Sequence, residues 1–297
     1  MDYLIDLHTH STCSDGELSP QEIYKHIKEI SKNKKVIWSI TDHDSVDAYD
    51  ILEKRNIHDK NVLIISGCEL SFNYQGTSRD MLAYNIDTKK MKQFLDNLYT
   101  KEFKIKKQQT VLDEFIKKCK QHGLAFDDNI TIENGRKSEA YGKVMKELRR
   151  NSINLEKFPD IETGFYRKCF SNVRSDFYVS EVDGIPTLKE VVDLIHSMGG
   201  LAFVAHPFDY GDDINKTTEY IKNCVSAGID GIEIMHYSIS NERILILRDL
   251  KNKFNLLESG GSDFHGENVK KNVKIFTAKD NINVDYNNLS WAKMREL

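Results

Sequence analysis

The sequence predicts an α/β fold of strand–helix units, interrupted by a helical insertion. Three observations predict it. Short apolar runs alternate with stretches of helical apolar spacing through residues 1–87 and again from Pro186. Ionisable residues gather just past the end of one apolar run after another, where parallel α/β folds carry their chemistry. Between the two regions, residues 88–180 break the alternation.

Residues 3–7 read as the first strand. Ser19-Pro20-Gln21-Glu22 then opens a helix: Ser caps, Pro suits the first helical position, and Glu three residues on completes a capping box. Ile23, Ile27 and Ile30 follow on one helical face. Residues 36–40 form a second strand that ends at Thr41-Asp42-His43-Asp44. A helix over 46–57 and a strand over 62–65 follow, the strand ending near Glu69. This alternation predicts parallel pairing through crossover helices. Met81-Leu82-Ala83-Tyr84 reads as another strand. Residues 88–122 read as helical and lysine-rich. Ten Lys face Asp96, Glu102, Asp113 and Glu114 between 89 and 123, a local balance of +6. A helix over 138–150 comes next, and 151–180 shows weak periodicity. Residues 88–180 are expected to form a lid or a small helical subdomain inserted between 1–87 and 181–297.

Leu188, Val191, Val192 and Ile195 make a helix face closed by Gly199-Gly200. A strand over 201–205 ends at His206, and a helix over 215–227 leads to a strand over 231–235 that ends at His236. After a helix over 240–253, Asn255-Leu256-Leu257 reads as a buried strand ahead of Gly260-Gly261-Ser262-Asp263-Phe264-His265-Gly266. Its glycines allow a sharp turn and a close backbone approach. Residues 273–277 suggest a further strand.

The composition, 39% hydrophobic and 30% charged over 297 residues, is that of a globular chain with a sizeable core. Net charge is −4, from 42 basic and 46 acidic residues, which argues against a chain-wide nucleic-acid footprint. Five cysteines at 13, 68, 119, 169 and 224 are odd in number and lack a Cys-x-x-Cys pair. That argues for reduced thiols rather than a disulfide framework. The N-terminus has no basic leader region and no apolar run approaches a membrane span, so a cytoplasmic location without a membrane partner is expected.

His8 and His10 share a face of an extended segment, so both imidazoles can reach one ion. Glu69 has two oxygens and can bridge two ions. Asp15, His43, His206, Asp263 and His265 complete a set of imidazoles and carboxylates at run ends, a mixture suited to Zn, Mn or Fe. Each alone is more simply a capping or solvated residue; it is the joint placement that points to metal. His26, His58 and His122 read as solvated, His196 as a packing or hydrogen-bonding residue, and His236 as a residue near the substrate.

Asp6-Leu7-His8-Thr9-His10-Ser11 with Asp15-Gly16, Ile40-Thr41-Asp42-His43-Asp44, Gly67-Cys68-Glu69, Ala205-His206-Pro207 and Gly261-Ser262-Asp263-Phe264-His265 resemble, in order, the motifs of the PHP (polymerase and histidinol phosphatase) family. The resemblance covers 1–87 and 181–270. The stretches Leu194–Gly200 and Gly231–His236 resemble its stand-alone phosphoesterase branch, which acts on nucleoside bisphosphates, nucleoside monophosphates and the 5′ ends of short RNA. The resemblance implies a distorted seven-stranded β/α (TIM-like) barrel with a trinuclear site. One ion would take His8, His10, Glu69 and Asp263, a second Glu69, His206 and residue 80, a third Asp15, His43 and His265. The branch usually has His where this chain has Asp80, so a harder oxygen ligand is expected there. It also carries an Arg-Pro-His stretch where this chain has Ser138-Glu139-Ala140-Tyr141.

The expected activity is metal-dependent hydrolysis of a small phosphate monoester, a nucleotide or the 5′ end of a short RNA. Two to three Mn, Fe or Zn ions would lower the pKa of the attacking water. His236 is the candidate general acid and Arg136 and Lys137 candidate contacts to a second phosphate. The alternatives are histidinol-phosphate hydrolysis, a non-catalytic metal-binding PHP module, and hydrolysis of an amide, which often uses a carboxylated Lys between metals. No stable nucleic-acid complex is expected, and the sequence sets no oligomeric state.

Overall fold

A computed structural model describes the chain except for residues 1–2, 32–33, 56, 58, 127–128, 171, 173, 212, 277–283 and 293–297 and the side chains of 166 and 167. Its elements in order are β1 (Tyr3–Asp6), α1 (Pro20–Ser31), β2 (Lys35–Trp38), α2 (Asp47–Lys54), β3 (Val62–Ile64), β4 (Gly67–Tyr74), β5 (Thr77–Tyr84) and α3 (Thr88–Leu98). Then come α4 (Lys101–Gln121), α5 (Glu139–Arg150) and α6 (Ser152–Lys157). The chain continues with α7 (Leu188–Ser197), β6 (Leu201–Val204), α8 (Ile214–Ala227), β7 (Gly231–Met235), α9 (Asn241–Phe254) and β8 (Leu257–Gly260). Two compact units result: Met1–Phe72, Arg79–Leu95 and Pro186–Leu297 form the first, Asn73–Ser78 and Asp96–Ile185 the second.

In the first unit the strands fall into a sheet ordered β1-β2-β3 and a sheet ordered β4-β5-β6-β7-β8. This differs from the single seven-stranded barrel expected. Residues 62–69 run beside 36–43, β2 and the segment that follows it, in a constant parallel register, with Val36 opposite Val62 and His43 opposite Glu69. The ladder breaks at Ile65 and Ser66, so one pass becomes two strands in two sheets. The sheets meet again where Thr9 bridges Phe264. The expected all-parallel pairing also fails at one place: β5 runs antiparallel to β6. Gln75 and Gly76, both at positive φ, join β4 to β5, and so short a link leaves no room for a crossover helix.

Helices form where the patterns place them. Ser19 and Glu22 make the expected capping box, with Ser19 N donating to Glu22 Oε2 (2.8 Å) and Glu22 N to Ser19 Oγ (3.3 Å). Ile23 and Ile27 of α1 and Ala48 and Leu52 of α2 pack on Val36 and Trp38 in a closed apolar cluster. Burying each such Ile or Leu contributes about 1.5–3 kcal/mol. Asn255, expected to begin the last strand, instead caps α9 in the left-handed region, so β8 starts at Leu257. Residues 273–276 are irregular, with a turn at 275–276, rather than the further strand expected, and Thr277 lies outside the described residues.

In the second unit the helix expected over 88–122 breaks after Leu98, because Thr100 caps α4 by accepting from Phe103 N (3.2 Å). Helices α4 and α5 enclose an apolar cluster with Phe115, Leu148, Phe165, Phe170 and Phe177.

Candidate metal centre

The loops that follow the strands of the first unit bring their ligand-type side chains to one place. His8 and His10 leave β1 fully buried, with their Nε2 atoms 3.1 Å apart. Glu69, in β4, stands among four imidazoles. Its Oε2 lies 3.3 Å from His8 Nε2, 3.2 Å from His10 Nε2 and 3.2 Å from His43 Nδ1, and its Oε1 lies 2.8 Å from His206 Nε2. Asp263 Oδ1 is 3.5 Å from His8 Nε2, 3.3 Å from His10 Nε2 and 3.2 Å from His265 Nδ1. Asp15 Oδ1 is 3.2 Å from His265 Nε2 and 3.8 Å from His10 Nδ1, and Asp15 Oδ2 is 4.0 Å from His43 Nε2.

The backbone is forced to place them. Asp44, His206 and Asp263, at three strand exits, all have positive φ (47°, 24° and 54°), a strained region for non-glycine residues. Such strain costs about 1–3 kcal/mol each and persists only where surrounding contacts hold it. The motif glycines answer a different need. A Cβ on Gly261 would lie 2.3 Å from His8 N, and one on Gly16 2.3 Å from His10 O.

These residues suit divalent ions. Four groups among the described residues are compact enough to hold one: His10, Asp15, His43 and His265; His8, His10 and Glu69; His8, Glu233 and His236; and His43, Glu69 and Asp80. Two imidazole nitrogens at 3.1 Å repel as lone pairs unless a proton or a cation lies between them. His10 Nδ1 is buried without a hydrogen-bond partner, a nitrogen that an ion in the first group would satisfy. Asp80 joins His43 and Glu69 and is held by Ser71 Oγ (3.2 Å) and Tyr210 OH (3.0 Å).

Charge accounts for the protonation states. Burial pushes the Glu69 and Asp263 carboxyls up, yet the imidazoles around them, and Lys270 beside Asp263, hold both well below the usual range. Burial opposes the charge on His10 and His206, but their carboxylate partners raise each to about 9. Without metal the ring nitrogens therefore keep protons that an ion would displace.

His236 is fully buried, with Nε2 3.2 Å from Asp263 Oδ2 and Nδ1 2.8 Å from Ser238 Oγ. Arg136 and Lys137 lie in the second unit just ahead of α5; Arg136 is exposed and its N donates to Glu139 Oε2 (3.3 Å). His26 is exposed as expected, and His196 pairs with Asp230 (2.8 Å). His122 is not simply solvated, since its ring packs 4.3 Å from that of Phe177. His58 lies outside the described residues.

Two charged residues at the centre escaped the sequence reading. Glu233 is fully buried in β7 and pairs with His8 Nδ1 (2.8 Å). A lone acid in the run Gly-Ile-Glu-Ile-Met was the available signal. Lys270 Nζ pairs with Asp263 Oδ2 and lies 5.4 Å from the Tyr237 ring centroid. It sits in a loop with no pattern to mark it. Asp263 holds this amine charged, which opposes the carboxylated-lysine chemistry of the amide-hydrolysis alternative.

On this fold the motif residues that resemble those of PHP-family metal-dependent phosphoesterases come together at one centre. No family model matches the chain. Its curated relatives are 5′-3′ exoribonucleases. That of Haemophilus influenzae is 26% identical over 267 residues, 88% of this chain and 89% of that protein. The 5′-3′ exoribonuclease Rnm of Escherichia coli is 24% identical over 272 residues, 88% of this chain and 85% of that protein. Among solved structures, one described as an amidohydrolase from Chromobacterium violaceum has a TM-score of 0.66 and 21% identity, over 93% of this chain and 94% of that one. A metal-dependent phosphoesterase from Bifidobacterium adolescentis has a TM-score of 0.62 and 19% identity, over 95% and 92%. These two likenesses bear on the fold alone. No described helix is long and apolar enough to cross a membrane.

Proposed function

We propose that the protein hydrolyses a small 5′-phosphorylated nucleotide substrate, with short RNA attacked from its 5′ end as the leading candidate. The observation that carries the phosphoesterase chemistry is Glu69, one buried carboxylate within 3.3 Å of four imidazoles. The exoribonuclease relatives support RNA as the substrate class. Nothing in those relatives favours histidinol phosphate.

In the proposed reaction water adds to phosphorus, the P–O ester bond breaks, and the leaving alkoxide takes a proton. Two to three divalent ions, held by His8, His10, Asp15, His43, Glu69, Asp80, His206, Asp263 and His265, would supply Lewis-acid charge to the phosphate oxygens and lower the pKa of a water. Lys270 adds a fixed positive charge beside Asp263, where an anionic substrate arrives. His236 is the candidate donor of a proton to the leaving oxygen. Arg136 and Lys137 stay, on sequence grounds, candidate contacts to a second phosphate. A nucleoside 3′,5′-bisphosphate is the smallest fragment of 5′-phosphorylated RNA that keeps both phosphates, so one site can serve both.

The test compares kcat/KM for short 5′-phosphorylated RNA, its 5′-hydroxyl counterpart, nucleoside 3′,5′-bisphosphate, nucleoside 5′-monophosphate and histidinol phosphate, with Mn²⁺ and with chelator. RNA or bisphosphate should lead, and chelator should abolish turnover. If histidinol phosphate leads by tenfold or more, the nucleotide reading fails.

A further inference from the structure

The geometry points to Glu233 as a positioning residue that holds the ligand side chains of two metal positions at once. The inference rests on the metal centre and not on any substrate. Glu233 lies in the middle of β7, fully buried in an otherwise apolar run. A carboxylate so buried is costly unless hydrogen bonds satisfy it. Both of its oxygens are engaged, and each by a different ligand residue. Oε1 lies 2.8 Å from His8 Nδ1, and Oε2 accepts from the backbone N–H of His206 at 2.7 Å.

The two contacts do different work. A carboxylate only accepts, so the ring nitrogen facing Oε1 is the N–H of His8. That leaves the lone pair on Nε2, the atom aimed at His10, Glu69 and Asp263. A carboxylate behind an imidazole also makes it a more basic ligand. At His206 the contact is to the backbone, which is strained at a φ of 24°. A short charge-assisted bond to its N–H holds that conformation, and with it the ring whose Nε2 reaches Glu69 Oε1 at 2.8 Å. His8 and His206 thus meet different oxygens of Glu69 while sharing the two oxygens of Glu233. Glu233 also lies close enough to His8 and His236 to be weighed as a ligand itself. The engagement of both its oxygens by N–H groups argues instead for a supporting role.

Glu233→Gln keeps the shape and one acceptor, but its amide NH₂ cannot accept from both N–H groups. Zn²⁺ is titrated into metal-free wild type and variant against a chelating indicator, with circular dichroism and Tm as the check on folding. The variant should stay folded and bind more than one Zn²⁺ equivalent about 10–100-fold more weakly. Unchanged affinity, or weakening confined to one equivalent, overturns the inference. A second measurement needs no variant: long-range ¹H–¹⁵N spectra of the Zn²⁺-loaded wild type should place the His8 proton on Nδ1. A proton on Nε2 overturns it even where Glu233→Gln does not fold. Wild type that takes up no Zn²⁺ at all would refute the metal centre itself, a result distinct from an unweakened variant. Neither readout uses turnover, so failure of the substrate reading leaves both intact.

Discussion

The two units bury different chemistry. In the second, Phe115, Phe165, Phe170 and Phe177 pack with Leu112 and Leu148, and the buried polar residues described there, Gln108 and Asn154, are neutral amides. Each amide is used up locally, Gln108 by Ala140 N (3.0 Å) and Asn154 by Ala125 N (2.7 Å). The first unit has an equally ordinary apolar cluster around Trp38, yet beside it hides His8, His10, Glu69, Glu233, His236, Asp263 and His265. Withdrawing an ion from water costs several kcal/mol, and pairing recovers that only with good geometry. The second unit shows that a core can be closed without such charges. Their concentration at one place in that unit therefore serves something other than stability.

The first unit contains its own control. Asp6 and Asp42 are as buried as Glu69 and Asp263. Asp6 accepts from the backbone N–H groups of Ser262 (2.9 Å) and Phe276 (2.8 Å), and Asp42 from Ser11 N (2.7 Å) and the hydroxyls of Ser11 and Ser14 (both 2.6 Å). Burial raises the pKa of both, whereas imidazoles around Glu69, and Lys270 with imidazoles around Asp263, hold those two well below the usual range. Asp6 and Asp42 tie strand-end loops together; Glu69 and Asp263 face the ligands.

A crossed pair of substitutions tests that division most severely. Glu69→Gln removes a charge that four imidazoles share, and turnover should fall about 10³-fold or more with little loss of Tm. Phe170→Ala in the second unit should cost about 3 kcal/mol of that unit's stability and leave metal stoichiometry in the folded protein unchanged. Urea unfolding and elemental analysis read both variants. A Glu69→Gln enzyme that keeps its rate, or a Phe170→Ala protein that loses metal while folded, breaks the comparison.

Proton release sharpens it next. His10 and His206 stand at about 9 in the metal-free protein, raised from 6.5. Their protonated forms stabilise the metal-free fold fully below about pH 6.5, and that share is lost as pH rises through 9. Metal must displace those protons, so its apparent affinity should rise up to tenfold per pH unit per proton and level off above about pH 9. Calorimetric titrations in buffers of different ionisation enthalpy count the protons released. No release at pH 7 would mean that the rings are already neutral.

Much of this centre was legible because most of its ligands follow an apolar run, a local pattern with a local cause, although Asp80 precedes one. What was not legible depends on pairing between distant segments. No property of residues 62–74 announces that the ladder to β2 breaks at Ile65 and Ser66, and the reversal of β5 rests on the turn at Gln75-Gly76. Glu233 stood in plain view, but an acid in a strand reads as an outward-facing residue until its partners His8 and His206 are known. Residues 273–276 have strand-like composition but are irregular and end in a turn, with Phe276 N donating to Asp6 Oδ2 (2.8 Å). That partner lies 270 residues away in the sequence.

The smallest expected effect concerns the least regular ligand position. Asp80 stands where the resembling branch carries an imidazole, and its surroundings suit a carboxylate. Ser71 Oγ donates to Oδ1, Tyr210 OH donates to Oδ2, and the same hydroxyl accepts from Asp80 N (2.8 Å). The Arg79 guanidinium lies 4.0 Å from the Tyr210 ring centroid and 5.0 Å from that of Tyr220, which steadies the ring that presents the hydroxyl. With His43 and Glu69 this makes a position of one nitrogen and two carboxylates. Such a set favours Mn²⁺ or Mg²⁺ relative to an all-imidazole one, because hard cations prefer oxygen. Asp80→His should therefore move the Zn²⁺-over-Mn²⁺ preference at that position toward Zn²⁺ by about tenfold, roughly 1.4 kcal/mol. The tightest positions should be unaffected. Competition titrations of the two metals against wild type and variant measure this directly. Equal preference in both proteins would mean that Asp80 serves as a hydrogen-bond partner of Ser71 and Tyr210 and that its group with His43 and Glu69 holds no ion.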